Sequence, residues 1–328
     1  MTRATGGFNI MTSNTALRAA SAPQPMSWPT AHASDAMASP LECYSDNIRS
    51  ALGLQLPQQL DTHILHAREW VAIDPHAPTR ARVEALVKAA AAGDSAAEQQ
   101  LLALFSTCIR FGTAGMRGVM APGSAGLNYV TALRMAQGTC DMLLQQAARE
   151  GRTAADVSVV VGFDHRSNAD NGINSKSIAA VITAAFVSRG VRVHLFGDFC
   201  HTPLVPFAVV SLSAAAGIMV TASHNPKLDN GIKVYNADGC QSSSLECDCI
   251  QQHIERNSSP WPDVDYSAAD AVLARHAALL PAQPLLQHMQ QLYIDALHRA
   301  LSRFPADLNA RDGVPIVCVR SRLLFPDP

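Results

Sequence analysis

The sequence Val-Ser-Val-Val-Val-Gly-Phe at residues 157–163 decides the fold class. It is a continuous run rich in β-branched residues, typical of a strand that is buried on both faces of a sheet. Two further short apolar segments, 191–196 and 217–220, predict strands, and helical patterns at 178–186 and 202–212 separate the three. Because strands alternate with helices, the sequence predicts an α/β fold with a mixed, mostly parallel sheet between helical layers.

The polar loop after Val220 is the expected place for chemistry, because ligands of open α/β sheets bind beyond the carboxyl ends of the strands. This loop begins Thr-Ala-Ser-His-Asn-Pro at 221–226. A returning strand is predicted at 231–235, with Asn230-Gly231 supplying the turn before it.

Helical patterns upstream predict a lead-in to this unit. One helix is expected at 82–92, a second should open with a capping box between Ser95 and Glu98, and a third should start near Asn128. Together with the strands, these helices place one domain at 41–257.

The two ends of the chain have different patterns. Residues 1–40 are rich in Ala, Ser, Thr and Pro, without periodicity, and predict either a disordered tail or an acid-poor, transit-like segment. A linker is expected at 258–283. One helix at 285–304 and one strand at 314–319 then predict an incomplete second domain at 284–328.

Composition excludes several classes of protein. The chain has 328 residues, of which 48% are hydrophobic and 16% charged, so a folded globular protein is expected. A net charge of -2 gives no electrostatic argument for nucleic acid or a membrane surface as a partner. Eight scattered cysteines without a secretory signal indicate reduced thiols and a cytoplasmic location, with an organelle as the alternative if residues 1–40 are a targeting segment.

Two groups of residues contain metal-binding side-chain types, but neither has the pattern of a metal site. Cys240, Cys247, Cys249 and His253 lack the spacing of a zinc knuckle, which favours an ordinary helix face. Asp263-Val264-Asp265 lies in the predicted linker and lacks a third acidic ligand.

Ser223 is the candidate nucleophile, because it lies on the loop beyond a buried strand and has His224 beside it. A simple Ala-Ser turn is the alternative. A serine hydrolase is disfavoured because no glycine flanks Ser223 as in a G-x-S-x-G elbow.

Two motifs carry a resemblance to a known family. Residues 221–233, Thr-Ala-Ser-His-Asn-Pro-Lys-Leu-Asp-Asn-Gly-Ile-Lys, resemble the active-serine signature of the α-D-phosphohexomutases. Residues 110–118, Arg-Phe-Gly-Thr-Ala-Gly-Met-Arg-Gly, resemble a second segment of that family. The resemblance extends over about residues 70–319 and is strongest to the phosphopentomutase-like branch.

The resemblance implies a sugar-phosphate mutase. Ser223 would be phosphorylated, would donate its phosphoryl group to a sugar monophosphate, and would be rephosphorylated from a bisphosphate intermediate. Arg117, Lys233 and His224 would be catalytic. The substrate would be a small sugar phosphate (glucose 1-phosphate, glucose 6-phosphate or pentose phosphates), and a sugar bisphosphate would act as activator.

The resemblance also implies an anion site and a metal. Thr113, Gly115 and Arg117 would bind phosphate, with glycines allowing a close approach of backbone amides. Mg²⁺ would bind Ser223 through its phosphoryl group. The pair Asp164 and Arg166, at the end of the first central strand, is expected to form an ion pair or turn cap rather than to act in catalysis directly.

The family's acidic metal loop and its later domains are missing from this sequence. The resemblance is lost after Val319, which predicts a C-terminally truncated family member. The alternative to an active mutase is therefore an inactive fragment that only binds a sugar phosphate or a partner. At Cys200-His201-Thr202-Pro203 the sequence departs from the family pattern, and no role is assigned there.

Overall fold

A computed structural model of the protein describes residues 60–268 and 285–301. Three helices come first: α1 (Leu60–Ile73), α2 (Ala77–Ala91) and α3 (Ser95–Phe105). Their apolar faces pack around Trp70, Leu101 and Phe105, and Val130 of the following helix completes this small core. The helical lead-in thus packs against the rest of the domain.

The strands are β1 (Met116–Val119), β2 (Ser158–Phe163), β3 (Ser167–Asn168), β4 (Ile173–Asn174), β5 (Arg192–Leu195), β6 (Ala216–Val220) and β7 (Asp229–Asn236). Five of them form a sheet in the order β1-β7-β6-β2-β5, and β3 and β4 form a separate hairpin. β7 is antiparallel to both of its neighbours, whereas β6, β2 and β5 run parallel. The predicted mixed, mostly parallel sheet is confirmed.

Helices cover both faces of this sheet: α4 (Tyr129–Arg149), α5 (Ser175–Ser188), α6 (Leu204–Ser211), α7 (Ser244–Arg256) and α8 (Leu285–Leu301). All six residues of β2 are buried. Successive side chains of a strand point to opposite faces, so Val161 joins the core on the side of α4, α5 and α7, while Val160 joins the core under α6. Met289 of α8 packs into this second core.

Of two helix N-termini predicted from the sequence, the structure confirms one and corrects the other. The helix near Asn128 is confirmed: Asn128 and Thr131 form a reciprocal capping box. The capping box predicted for Ser95 and Glu98 is wrong, because Asp94 is the N-cap and its carboxylate accepts from the amides of Ala96 and Ala97. Aspartate and serine are both good caps, and the aspartate comes one residue earlier.

The turn predicted at Asn230-Gly231 is also wrong, since both residues lie inside β7. The side chain of Asn230 is fully buried and its amide donates to Ser175 Oγ at 2.9 Å. This buried hydrogen bond outweighs the local preference of Asn-Gly for turns. The chain reverses earlier, with hydrogen bonds from Asn225 N to Ala222 O and from Asp229 N to Pro226 O.

The helix expected around the cysteines is confirmed as α7, which carries Cys247, Cys249 and His253. The segment that follows α7 packs on the domain. Arg189 lies 3.9 Å from the ring centroid of Trp261 and binds Asp263 through two hydrogen bonds of 2.6 and 3.1 Å.

The helix predicted at 285–304 is described as α8 up to Leu301. The tail at 1–40 and the strand at 314–319 lie outside the described residues, and the division into domains stays a prediction. Among the helices of the described ranges, none combines the length and apolar character needed to cross a membrane.

Candidate active site at the serine loop

Ser223 lies on an exposed loop between β6 and β7, which we call the serine loop (residues 221–229). Its backbone is in the left-handed region, with φ of 58°. Residues with a Cβ rarely adopt this conformation, and such strain is often found at functional sites. Locally, Ser223 N donates to Thr221 Oγ1 at 3.0 Å, which gives the loop a side-chain-supported bend.

His224 is the nearest titratable neighbour of Ser223. Its Nδ1 lies 3.4 Å from Ser223 Oγ, and both residues are exposed. This distance is at the outer limit of a hydrogen bond. A small adjustment would let the imidazole accept the hydroxyl proton, so the geometry is compatible with general-base catalysis.

Arg166 holds the backbone of the serine loop. Its Nη2 donates to the carbonyls of Ser223 (2.8 Å) and Asn225 (3.1 Å), and its Nη1 to those of Pro226 (2.7 Å) and Asp229 (2.9 Å). The remaining guanidinium donor, Nε, bonds to Asp164 Oδ2 at 3.2 Å. The predicted Asp164–Arg166 ion pair is thus present, and both side chains are largely buried, at 17% and 11% exposure.

A buried polar network fixes Asp164 in turn. Asp164 Oδ1 accepts from Ser175 Oγ at 2.6 Å and from Arg166 N at 3.1 Å. Ser175 Oγ also accepts from the side-chain amide of Asn230. The network joins β2, α5 and β7 directly beneath the loop.

Arg117 reaches the same loop from β1. Its Nη1 donates to Asn225 Oδ1 at 3.3 Å. Its Nε is buried and has no hydrogen-bond partner among the described residues. An unpaired buried donor is unfavourable in isolation, so this guanidinium retains capacity to bind an anion.

Lys233 lies on β7, opposite Met219 of β6. Burial, together with repulsion from the Arg117 guanidinium, lowers the pKa of the Lys233 ammonium. A lysine whose pKa is lowered gives up its proton more readily, which suits acid–base chemistry. Arg117 lies opposite Gly231 in the β1–β7 pairing, two residues before Lys233, so the two cationic residues lie on one face of these strands.

Thr113 and Gly115 have a different position. They belong to a tight turn before β1, in which Gly112 and Gly115 exchange backbone hydrogen bonds of 3.3 and 2.7 Å. Gln241 Nε2 donates to Thr113 O at 2.5 Å, which connects the turn to the segment that follows β7. The amide of Gly115 is therefore engaged within the turn, and phosphate binding by Thr113 and Gly115 stays a prediction.

The positive φ of residue 115 and its close contact with β7 explain why a glycine occupies this position. Its φ is +84°, and a Cβ would lie 2.3 Å from the carbonyl oxygen of Ile232. The glycine allows the turn to approach β7 closely and so sets the path of β1, which carries Arg117.

A magnesium site cannot be completed from the described side chains. Within 60–268 and 285–301, no group of three or more His, Cys, Asp or Glu side chains is placed to hold a metal ion. Magnesium requires near-octahedral oxygen ligation, so phosphoryl oxygens on Ser223 would supply only part of its ligands.

Sequence reasoning missed two features of the site. No strand is predicted within residues 110–118, whereas Arg117 and Gly118 lie on β1. Sequence reasoning expected an ion pair at Asp164 and Arg166 but not the four carbonyl contacts of Arg166. The motif at 162–166 was a signal for the arginine, but backbone acceptors have no signature in sequence.

Comparison with known proteins identifies the domain. Residues 109–261 match the family model described as "Phosphoglucomutase/phosphomannomutase, alpha/beta/alpha domain I". The matched region contains the sheet, the serine loop and both arginines.

Three curated relatives illustrate the similarity. A phosphopentomutase of Pongo abelii is 39% identical over 194 residues, 59% of this chain and 30% of that protein. A phosphoribomutase of Saccharomyces cerevisiae is 36% identical over 201 residues, 60% and 30% of the two chains. A glucose 1,6-bisphosphate synthase of Homo sapiens is 33% identical over 203 residues, 62% and 30%. The matched part thus spans about 30% of the length of each relative.

Proposed function

This chain belongs, through residues 109–261, to the phosphoglucomutase/phosphomannomutase family, and from that premise we propose that it carries the phosphoserine domain of a sugar-phosphate mutase. Ser223 accepts a phosphoryl group from a sugar bisphosphate and donates it to the free hydroxyl of a sugar monophosphate. The substrates are pentose phosphates or the 1- and 6-phosphates of glucose. The names of the relatives, which include a phosphopentomutase and a phosphoribomutase, support this substrate class.

One observation carries the proposal: an exposed serine in a left-handed conformation lies on a loop that Arg117 contacts with an under-used guanidinium. Phosphoryl transfer depends on positioning and on stabilising the charge of the transferring group. The backbone of Ser223, held by Arg166 and Thr221, meets the need for positioning. Arg117 and Lys233, two cations in one neighbourhood, meet the second.

The chemical step follows from these groups. The Ser223 Oγ–phosphorus bond forms as the bond between phosphorus and the donor sugar oxygen breaks, and that oxygen takes up a proton. The serine proton passes to a base, for which His224 is within 3.4 Å and Lys233 has a lowered pKa. In the second half of the cycle the same bonds change in reverse, with the monophosphate hydroxyl as nucleophile.

Mg²⁺ is proposed as the metal that neutralises charge on the transferring phosphoryl group, as in the family. Phosphorylated Ser223 would offer it oxygen ligands. The described side chains alone do not complete the coordination of this ion.

Phosphorylation of Ser223 tests the proposal directly. The full chain is incubated with glucose 1,6-bisphosphate and Mg²⁺, and its intact mass and proteolytic peptides are analysed by mass spectrometry. We expect a gain of one phosphoryl group on the peptide that contains Ser223. An unchanged mass, in a chain shown to be folded by circular dichroism, would overturn the proposal.

A matched pair of variants assigns the group to the site. Ser223→Ala should lose all incorporation, whereas Ser213→Ala, at the other exposed serine with a positive φ (52°), should behave as the wild type. Conversion of glucose 1-phosphate is assayed in parallel. This assay distinguishes a chain that completes the mutase cycle from one in which Ser223 is phosphorylated but no product is released.

A further inference from the structure

We propose that Arg166 is a positioning residue that holds Ser223 in the conformation required for phosphoryl transfer, by binding the backbone carbonyls of the serine loop. The inference rests on the proposed function for its effect on rate, and on the structure alone for its effect on the loop.

The guanidinium of Arg166 has no donor left over. Arginine offers five N–H groups in a planar fork. Four are directed to the carbonyls of Ser223, Asn225, Pro226 and Asp229, at 2.7–3.1 Å, and the fifth to Asp164. With its side chain 11% exposed, this cation is committed to the protein and does not serve as a ligand for substrate.

The four carbonyls belong to residues that enclose the whole turn after Ser223. Hydrogen bonds within the serine loop are few. Asn225 N donates to Ala222 O, Asp229 N to Pro226 O and Ser223 N to Thr221 Oγ1. The side chain of Asn225 donates to Asp229 Oδ2 at 3.1 Å, and Ser223 Oγ lies 3.4 Å from His224 Nδ1. These bonds fix single bends. The Arg166 guanidinium contacts four backbone carbonyls from Ser223 to Asp229 through one rigid plane, whereas the Asn225–Asp229 side-chain bond joins two residues and leaves the Ser223 carbonyl unheld.

The left-handed backbone of Ser223 makes this support necessary. A residue with a Cβ at φ of 58° is less stable than the same residue in an ordinary conformation, and it persists where its surroundings over-determine it. Bonding of the Ser223 carbonyl to Arg166 fixes the peptide that follows the strained residue. Loss of that bond would let the peptide rotate and move Oγ relative to Arg117.

The support is itself anchored. Asp164 binds Nε and the amide of Arg166, and Ser175 binds Asp164. Asn230, at the start of β7, donates to the same Ser175 hydroxyl. These hydrogen bonds therefore fix the position of the Arg166 guanidinium relative to β7, the strand that follows the serine loop.

Lysine cannot replace this arrangement. Its ammonium keeps the charge but has three donors around one point, whereas the four carbonyls are arranged around a planar fork. Arg166→Lys thus preserves the charge and removes the geometry. Arg192→Lys is the matched control. Arg192 lies on the edge strand β5, and its guanidinium also donates to a backbone carbonyl, that of Ala155.

Hydrogen–deuterium exchange and phosphorylation kinetics are measured on the full chain. In Arg166→Lys we expect the peptide covering 222–229 to exchange about tenfold faster or more, with β2 and β6 still protected as in the wild type. With glucose 1,6-bisphosphate and Mg²⁺, the maximal rate of Ser223 phosphorylation should fall by about a hundredfold. The half-saturating bisphosphate concentration should stay within about twofold, because Arg117 is unaltered. Arg192→Lys should change neither quantity.

Unchanged exchange at 222–229 would overturn the proposal, as would an equal loss of protection throughout the sheet, since that would show a general structural role. A changed half-saturation at an unchanged maximal rate would also overturn it, because it would indicate substrate binding by Arg166. If Arg166→Lys does not fold, Asp164→Asn, which puts an amide donor where a carboxylate oxygen accepts from Nε, must show the same loop-specific pattern. If the wild type takes up no phosphate while Arg166→Lys loosens the loop alone, the proposed function fails and the positioning role stands.

Discussion

Two serines with left-handed backbones flank the same strand, and they are held in different ways. Ser213 precedes β6 and ends helix α6: its amide donates to Val210 O, and Ala214 N donates to Val209 O. These are the hydrogen bonds of a Schellman cap, a common end for a helix. Ser223 follows β6, ends no helix, and is held by a guanidinium 57 residues away in sequence. A local cap accounts for the first conformation, whereas the second depends on a tertiary contact with Arg166.

Gly115 also has a left-handed backbone, and in this case a close contact with β7 requires it. Its replacement should have the largest effect of the changes considered. Gly115→Ala should lower the free energy of unfolding by about 2–4 kcal/mol, from the left-handed backbone and the overlap with Ile232 O together. Gly112→Ala is the control, since a Cβ there has no heavy atom within 4 Å. Urea denaturation measures both, and equal effects would contradict the explanation for Gly115.

Arg117→Gln tests whether Arg117 stabilises the phosphoryl group that is transferred to Ser223. Loss of a charged hydrogen-bond donor should slow phosphorylation of Ser223 by about 10–150-fold, equivalent to about 1.5–3 kcal/mol. Loop exchange should stay close to that of the wild type, in contrast to Arg166→Lys. Arg192→Gln serves as the control in the same kinetic assay. A rate equal to that of the wild type would remove Arg117 from the site.

Ser213→Gly should have a small stabilising effect, because the cap needs only the left-handed backbone and not the serine side chain. We expect the free energy of unfolding to rise by about 0.5–1 kcal/mol, as strain is relieved and partly offset by the greater chain entropy of glycine. Ser211→Gly, in the last turn of the same helix, should lower it instead. If both variants are destabilised, Ser213 is not under the strain that its φ indicates.

The smallest expected effect is electrostatic. Arg117 and burial lower the pKa of Lys233. Arg117 disfavours the charged ammonium, so Arg117→Gln should raise this pKa toward the ordinary lysine value without restoring it, because burial remains. NMR titration of ¹³C-methylated lysines measures the shift, with Lys233→Arg to assign the signal. A pKa that stays the same or falls in Arg117→Gln would show that the two cations are not coupled.

The sequence was informative where local pattern decides structure. Six of the seven residues of the run at 157–163 form β2, in which every residue is buried, and Asn128 caps its helix through a capping box. Ser223 and His224 lie on the predicted loop, and Lys233 on the predicted returning strand.

The sequence was less informative where contacts between residues far apart in the chain determine the local structure. Asn230-Gly231 has turn chemistry, yet a hydrogen bond to Ser175 draws Asn230 into a strand. The four residues of β1 are too few for a periodic signal, and pairing with β7 makes them a strand. The contacts of Arg166 are made to carbonyls that every residue possesses, so no pattern of side chains could reveal them.

The pairing of β1 with β7 has a consequence for how the protein folds. Met116 lies opposite Ile232, more than a hundred positions along the chain, while β6 and β7 are joined by one short loop. Contacts of high sequence separation form slowly because a long loop must close first. We therefore expect the β6–β7 hairpin to form early and the edge strand that carries Arg117 to dock late. A newly made chain would pass through a stage in which the β6–β7 hairpin has formed and Arg117 has not yet docked beside it.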